Sequence, residues 1–132
     1  MTLQMYPVLK TIQKRYSCRT YRDTPIDEEQ QRQIRDYIAA LPPGPFGRRP
    51  RLALIAASGR DGSALRGLGA YGFIRNPTGF IIGSSRDDQQ HLLDFGYRME
   101  AVILKATDLN LGTCWLGGTF TRSRFVREID LE

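Results

Sequence analysis

Arg15, Ser17 and Arg19 occupy alternate positions in QKRYSCRTYRDTP, residues 13–25. In an extended segment, alternate residues point to one face. A guanidinium is a planar fork of donors that matches phosphate oxygens, and Ser adds a short neutral donor. Two such forks flanking a hydroxyl suit a terminal phosphate dianion. By spacing alone, a solvated basic edge after a helix accounts for the pattern equally well. The surroundings are strongly basic: residues 1–22 hold Lys10, Lys14, Arg15, Arg19 and Arg22 and no acid.

Two other stretches have types and spacing suited to a ligand. Gly117 and Gly118 end TCWLGG, residues 113–118, and precede Thr121, a candidate helix cap. Glycines there let backbone N–H groups approach a flat ligand, although a plain tight turn needs them too. LPPGPFGRR, residues 41–49, reads as a rigid loop that lies against a ring, or as a helix stop followed by a basic loop. Trp115 reads as a core residue, and Cys18 and Cys114 as inert buried thiols. His91 is the one histidine and reads as a surface residue, so no metal site and no Ser-His-acid triad is expected. Neither GxxxxGK[ST] nor GxGxxG after a strand occurs.

The elements that must position these groups follow from periodicity. Val8, Leu9 and Ile12 recur at helical spacing between Tyr6 and Arg15, with Pro7 in the first turn. Residues 27–41 predict a second amphipathic helix. Asp27 is its N-cap, Ile34, Ile38 and Leu41 its apolar face, and PPGP its stop. RLALIAAS, residues 51–58, predicts a strand buried on both faces. YGFI (71–74) and GFIIGSS (79–85) are strand-like. Residues 86–111 predict the longest helix, capped by Ser85 and ended by Gly112. Leu92, Phe95, Met99, Val102, Ile103, Ala106 and Leu109 form its apolar stripe. TCWLGG predicts a strand and residues 122–132 a last helix. This order predicts a layered α/β or α+β domain.

With 132 residues, one domain is the default, and 41% hydrophobic content argues against disorder across the chain. The formal charge of +5 favours anionic partners without choosing among phosphate cofactor, nucleic acid and membrane surface. Two distant cysteines make no disulfide framework and predict thiols in a reducing compartment. The N-terminus does not read as a secretory signal, and the apolar run LALIAA is too short for a bilayer. A cytoplasmic, soluble protein with no membrane partner is the expectation.

Together, RYSCRTY at 15–21, the helix with its PPGP loop, and LNLGTCWLGG at 109–118 resemble the nitroreductase family of FMN-dependent oxidoreductases. The motifs stand in that family's order, and the likeness covers nearly the whole chain. It implies an α+β fold, a three-layer α/β/α sandwich with a mixed sheet and a long central helix. It implies one FMN-binding domain over residues 1–132, C-terminally truncated. Arg15, Ser17 and Arg19 match the positions that hold the FMN phosphate and ribityl end, and Tyr16 stands where a second Arg is usual. Pro43 and Gly44 match the loop beside the flavin. Leu116, Gly117 and Gly118 match its isoalloxazine edge.

The family's chemistry is hydride transfer from NAD(P)H through FMN to an electron-poor acceptor such as a nitroaromatic or quinone. No catalytic side chain is then required, because the flavin carries the reaction. A homodimer with FMN at the subunit interface is implied as well. Two other readings stay open: a flavin-free remnant with an assembly role, and a small basic module that binds nucleic acid.

Overall fold

The structure is a computed structural model, and it describes residues 6–22, 24–56 and 74–116. The expected elements at 57–73 and 117–132, including YGF at 71–73, Gly117, Gly118 and the last helix, lie outside the described residues. The elements run α1 (Val8–Lys14), α2 (Glu28–Ala40), β1 (Arg51–Ala56), β2 (Gly79–Ser84) and α3 (Gln89–Asp108).

Helix α1 starts at Val8, two residues after the Tyr6 at which its pattern begins, with Pro7 as N-cap. Its expected apolar face is not the buried one. Leu9 is 77% and Ile12 51% exposed, whereas Thr11 is buried. Thr11 can turn inward because its hydroxyl donates to Pro7 O at 2.7 Å, which leaves no polar atom unmatched. Helix α2 is close to expectation. The Asp27 side chain accepts from Gln30 N–H at 2.7 Å, and the Gln30 side chain accepts from Asp27 N–H, a complete capping box.

β1 and β2 pair antiparallel from Arg51↔Ser84 to Ala56↔Gly79. Alternation divides their side chains between two apolar clusters. Leu52, Leu54, Ala56 and Ile81 meet Ile34, Tyr37, Leu41, Val102 and Ala106 from α2 and α3. Ala53, Ile55, Phe80 and Ile82 face the other way, with Leu116. The sheet is therefore apolar on both faces as expected, although Leu54 is the residue of β1 that is buried outright.

Both expected ends of the long helix are corrected. Asp88, not Ser85, caps α3: its carboxylate accepts from His91 N–H at 2.9 Å, while Ser85 Oγ donates to Arg86 O. At the other end the left-handed residue is Asn110, φ 64°, rather than Gly112. Asn110 N–H donates to Thr107 O at 2.9 Å and Leu111 N–H to Ala106 O at 3.0 Å. Those two bonds make a Schellman motif, which satisfies the last carbonyls. Of the expected strand after it, Thr113 alone among the described residues is paired, through an isolated parallel bridge. Trp115 is 44% exposed, not core, and both cysteines are partly exposed. No helix among the described residues is long and apolar enough to cross a membrane.

Candidate functional site

The basic stretch leaves α1 as extended chain, with Arg15 at φ −70° and ψ 136°. Two parallel bridges hold it, Ser17↔Thr113 and Thr20↔Arg75. The first brings it against the segment that follows α3. Partners across a bridge share a face, so Ser17 and Thr113 point the same way. Arg15 joins them: its Nε donates to Thr113 Oγ1 at 3.2 Å. One bond is thus made by Nε, and the two terminal nitrogens of the fork are not used in it. The Ser17 hydroxyl and the Arg19 guanidinium are exposed and make no hydrogen bond with the described residues. Tyr16, on the alternate position, is exposed. The sequence pattern revealed Arg15 and Ser17 but not Thr113, whose place depends on a pairing across the whole length of α3.

Segment 111–116 is positioned from both ends. The Schellman turn aims it, and Leu116 packs on the second face of the sheet with Phe80 and Ile82. Trp115 donates from Nε1 to Glu100 Oε2 at 3.1 Å. Beside this segment lies a largely apolar cavity of about 500 Å³, lined by Tyr21, Phe80, Ile82, Met99, Thr113 and Leu116 among others. Arg15, Ser17 and Arg19 do not line it. Through Thr113, then, a cationic edge abuts an apolar recess. The phenol of Tyr21 is pushed up to about 12, first by burial and then by charge on Cys18 and Cys114, with Arg15 opposing. It therefore stays a neutral hydroxyl at neutral pH.

Pro43 and Gly44 lie elsewhere. Their loop is held against the first half of α3 by two polar residues that its apolar stripe conceals. The carboxylate of the fully buried Asp94 accepts from Phe46 N–H at 3.1 Å and from Arg48 N–H at 2.8 Å. One turn on, the buried Arg98 donates to Pro42 O at 3.2 Å and to Pro50 O. Burial draws the Arg98 guanidinium below its usual range, the charge of Arg49 adds to this, and Asp94 opposes it. Pro43 is exposed and Gly44 buried. From Asp94 to the C-cap Leu109 is fifteen residues, about 22 Å along the helix at its ordinary rise. The chain therefore places this loop and the basic stretch toward opposite ends of α3. Asp94 and Arg98 were missed in the sequence, where their signal is a charged pair at i and i+4 that flanks the apolar stripe of the helix.

A helical layer on a small sheet with a long central helix, carrying a cationic edge beside an apolar recess, defines an α+β class of protein. The family described as "Putative TM nitroreductase" matches residues 7–131, and the chain belongs to this nitroreductase family. Two solved structures share the fold. A nitroreductase family protein from Clostridium difficile 630 is 23% identical with a TM-score of 0.71, over 96% of this chain and 77% of that one. A nitroreductase family protein from Clostridium novyi NT is 19% identical with a TM-score of 0.65 over the same shares. No curated protein matches the chain. The expected nitroreductase-like α+β sandwich with its long central helix is thus the fold, and family membership supports a general oxidoreductase role.

Proposed function

We propose that the chain is an FMN-dependent NAD(P)H oxidoreductase that reduces an electron-poor small molecule such as a nitroaromatic or quinone. The observation that carries this reading is the Ser17↔Thr113 bridge with its Arg15–Thr113 hydrogen bond. It joins the phosphate-type donors to the segment leading to Leu116, the two parts a flavin mononucleotide needs together. The donor set fits that group: Ser17 and Arg19 are exposed and make no side-chain hydrogen bond with the described residues, and an apolar recess adjoins them through Thr113.

FMN, when bound, supplies the two-electron chemistry. The chain's residues supply the rest. Arg15 and Arg19 neutralise the phosphate, and the Ser17 hydroxyl donates to it. Tyr16 sits at the same edge. Leu116 gives an apolar wall at the ring edge, to which the sequence resemblance also assigns Gly117 and Gly118, outside the described residues. Residues 1–132 act as one FMN-binding domain, in the cytoplasm. The distance between Pro43-Gly44 and the basic stretch supports a homodimer in which the loop of one subunit serves the cofactor held by the other.

The test is the visible spectrum of the purified full chain, before and after addition of FMN. Flavin bands that bleach with NAD(P)H under anaerobic conditions support the reading. A protein that stays colourless with excess FMN overturns it.

A further inference from the structure

The two cysteines, far apart in sequence, flank one backbone hydrogen bond in the fold. Cys18 N–H donates to Thr113 O at 2.8 Å. That carbonyl belongs to the peptide unit whose nitrogen is Cys114's own. Ser17 and Thr113 are partners in an isolated parallel bridge, so the residues that follow them, Cys18 and Cys114, leave it on adjacent segments of chain. Adjacent strands lie about 4.8 Å apart. A disulfide spans Cα atoms about 4.4–6.8 Å apart.

The side chains agree with the backbone. Cys18 lies over Gly112, where an added Cβ would stand 2.8 Å from Cys18 Sγ and 2.9 Å from Cys18 Cβ. Gly112 and Cys114 are alternate residues and in extended chain share a face. Tyr21 closes the same corner: its ring edge would lie 3.2 Å from that Cβ, and its hydroxyl feels charge on both sulfurs. Both thiols are free and partly exposed. Each makes one weak contact with a nearby carbonyl, Cys18 Sγ to Thr20 O and Cys114 Sγ to Trp115 O, both at 3.4 Å. Among the described residues no third His, Cys, Asp or Glu joins them in a metal-binding group. A pair without further ligands suits sulfur exchange better than a tetrahedral metal.

We propose that Cys18 and Cys114 form a redox-active dithiol that exchanges with small-molecule disulfides and closes into an intrachain disulfide. One cysteine, as thiolate, attacks a sulfur of the small disulfide. The S–S bond breaks, a mixed disulfide forms, and one small thiolate leaves and takes up the proton that the attacking cysteine gave up. The second cysteine, as thiolate, attacks the cysteine sulfur of that mixed disulfide. The intrachain bond forms, and the second small thiolate leaves with the second proton. The two cysteines are oxidised and the small disulfide is reduced to two thiols. Arg15 and Arg19 flank Cys18 and favour an anionic disulfide. The closed bond ties the segment of Arg15 and Ser17 covalently to that of Thr113 and Leu116, whether or not a flavin is bound.

The experiment treats the reduced full chain with oxidised glutathione and reads its intact mass and a non-reducing peptide map. The expected product is lighter than the reduced chain by the two thiol hydrogens. It carries no glutathione, and one cross-linked peptide contains both cysteines. Cys18→Ser and Cys114→Ser should each hold a stable glutathione adduct instead. A wild-type chain that keeps glutathione on both cysteines, forms disulfide-linked dimers, or stays unmodified while the urea-unfolded chain reacts overturns the proposal. The wild-type peptide map decides the matter even where a variant fails to fold.

Discussion

Gly44 lies directly against the carboxyl group of Asp94: a Cβ on Gly44 would stand 2.3 Å from Asp94 Cγ. The same carboxylate holds the N–H groups of Phe46 and Arg48, so the loop wraps a buried charge with no room to spare. Glycine at 44 is thus a requirement of close approach rather than of turn conformation. Gly44→Ala pushes either the loop or the carboxylate away. The expected cost is about 1–3 kcal/mol, as for other overpacked sites, read as a lower urea midpoint. An unchanged midpoint would mean that the loop gives way freely.

Removing the carboxylate itself should act on the same loop by another route. Asp94→Ala leaves the N–H groups of Phe46 and Arg48 without their part-buried acceptor and Arg98 without its neighbouring charge. The expected loss is about 2–3 kcal/mol. Asp94→Asn keeps one acceptor oxygen and should lose less. Hydrogen exchange locates the effect: the Phe46 and Arg48 amides should lose protection first, ahead of those in α2.

The proposed phosphate contacts predict a selective loss of cofactor. Arg15→Ala and Arg19→Ala should each weaken FMN binding by about 10–100-fold, the worth of one charge-assisted hydrogen bond. Riboflavin has the same ring and no phosphate, so its affinity should hardly change. Fluorescence titration with both flavins measures the difference. Equal losses for the two would place these arginines away from the phosphate.

How much of the fold and of the site is legible in the sequence depends on the range of the interaction. The faces of α2 and α3 were readable because Ile34, Val102 and Ala106 recur at helical spacing and pack where that spacing points. Helix ends were readable only to the nearest polar competitor: Asp88 displaced Ser85, and Asn110 displaced Gly112, each by making a hydrogen bond that composition alone does not rank. In α1 the pattern misled, because Thr11 satisfies its own hydroxyl and takes the inward place of Leu9 and Ile12. The alternation of Arg15 and Ser17 was visible, but their partner Thr113 was not. Neither were Asp94 and Arg98, which hold the loop of Pro43 and Gly44. All three act across long stretches of chain, where local period carries no information.

Asn110 offers a clean test of the turn that aims the site. Its φ of 64° suits Asn and Gly and strains other residues. Its side chain also accepts from Lys14 Nζ and so links the end of α1 to the end of α3. Asn110→Ala should cost about 1 kcal/mol through the backbone alone. Asn110→Gly keeps the conformation and loses only the exposed contact, so it should stay within about 0.5 kcal/mol of wild type. Thermal melts of the two variants separate the backbone effect from the side-chain one.

The corner of Tyr21 makes the last prediction, on alkaline stability. Its phenol is raised from 10.0 to about 12 in the fold, by burial first, then by negative charge on Cys18 and Cys114. Between those two values the folded chain keeps a proton that the unfolded chain has released. Unfolding then loses a proton, so stability is whole below pH 10 and falls as pH rises through about 12. Tyr37, raised by burial and by its hydrogen bond with Tyr6, adds to the same decline. Tyr21→Phe should leave the urea midpoint at neutral pH nearly unchanged and make the alkaline decline shallower. Cys18→Ser and Cys114→Ser remove a neighbouring negative charge and should move the phenol titration, followed by near-ultraviolet absorbance, toward lower pH. A phenol that titrates at the same pH in all three proteins that retain Tyr21 would show that the two sulfurs do not share its corner.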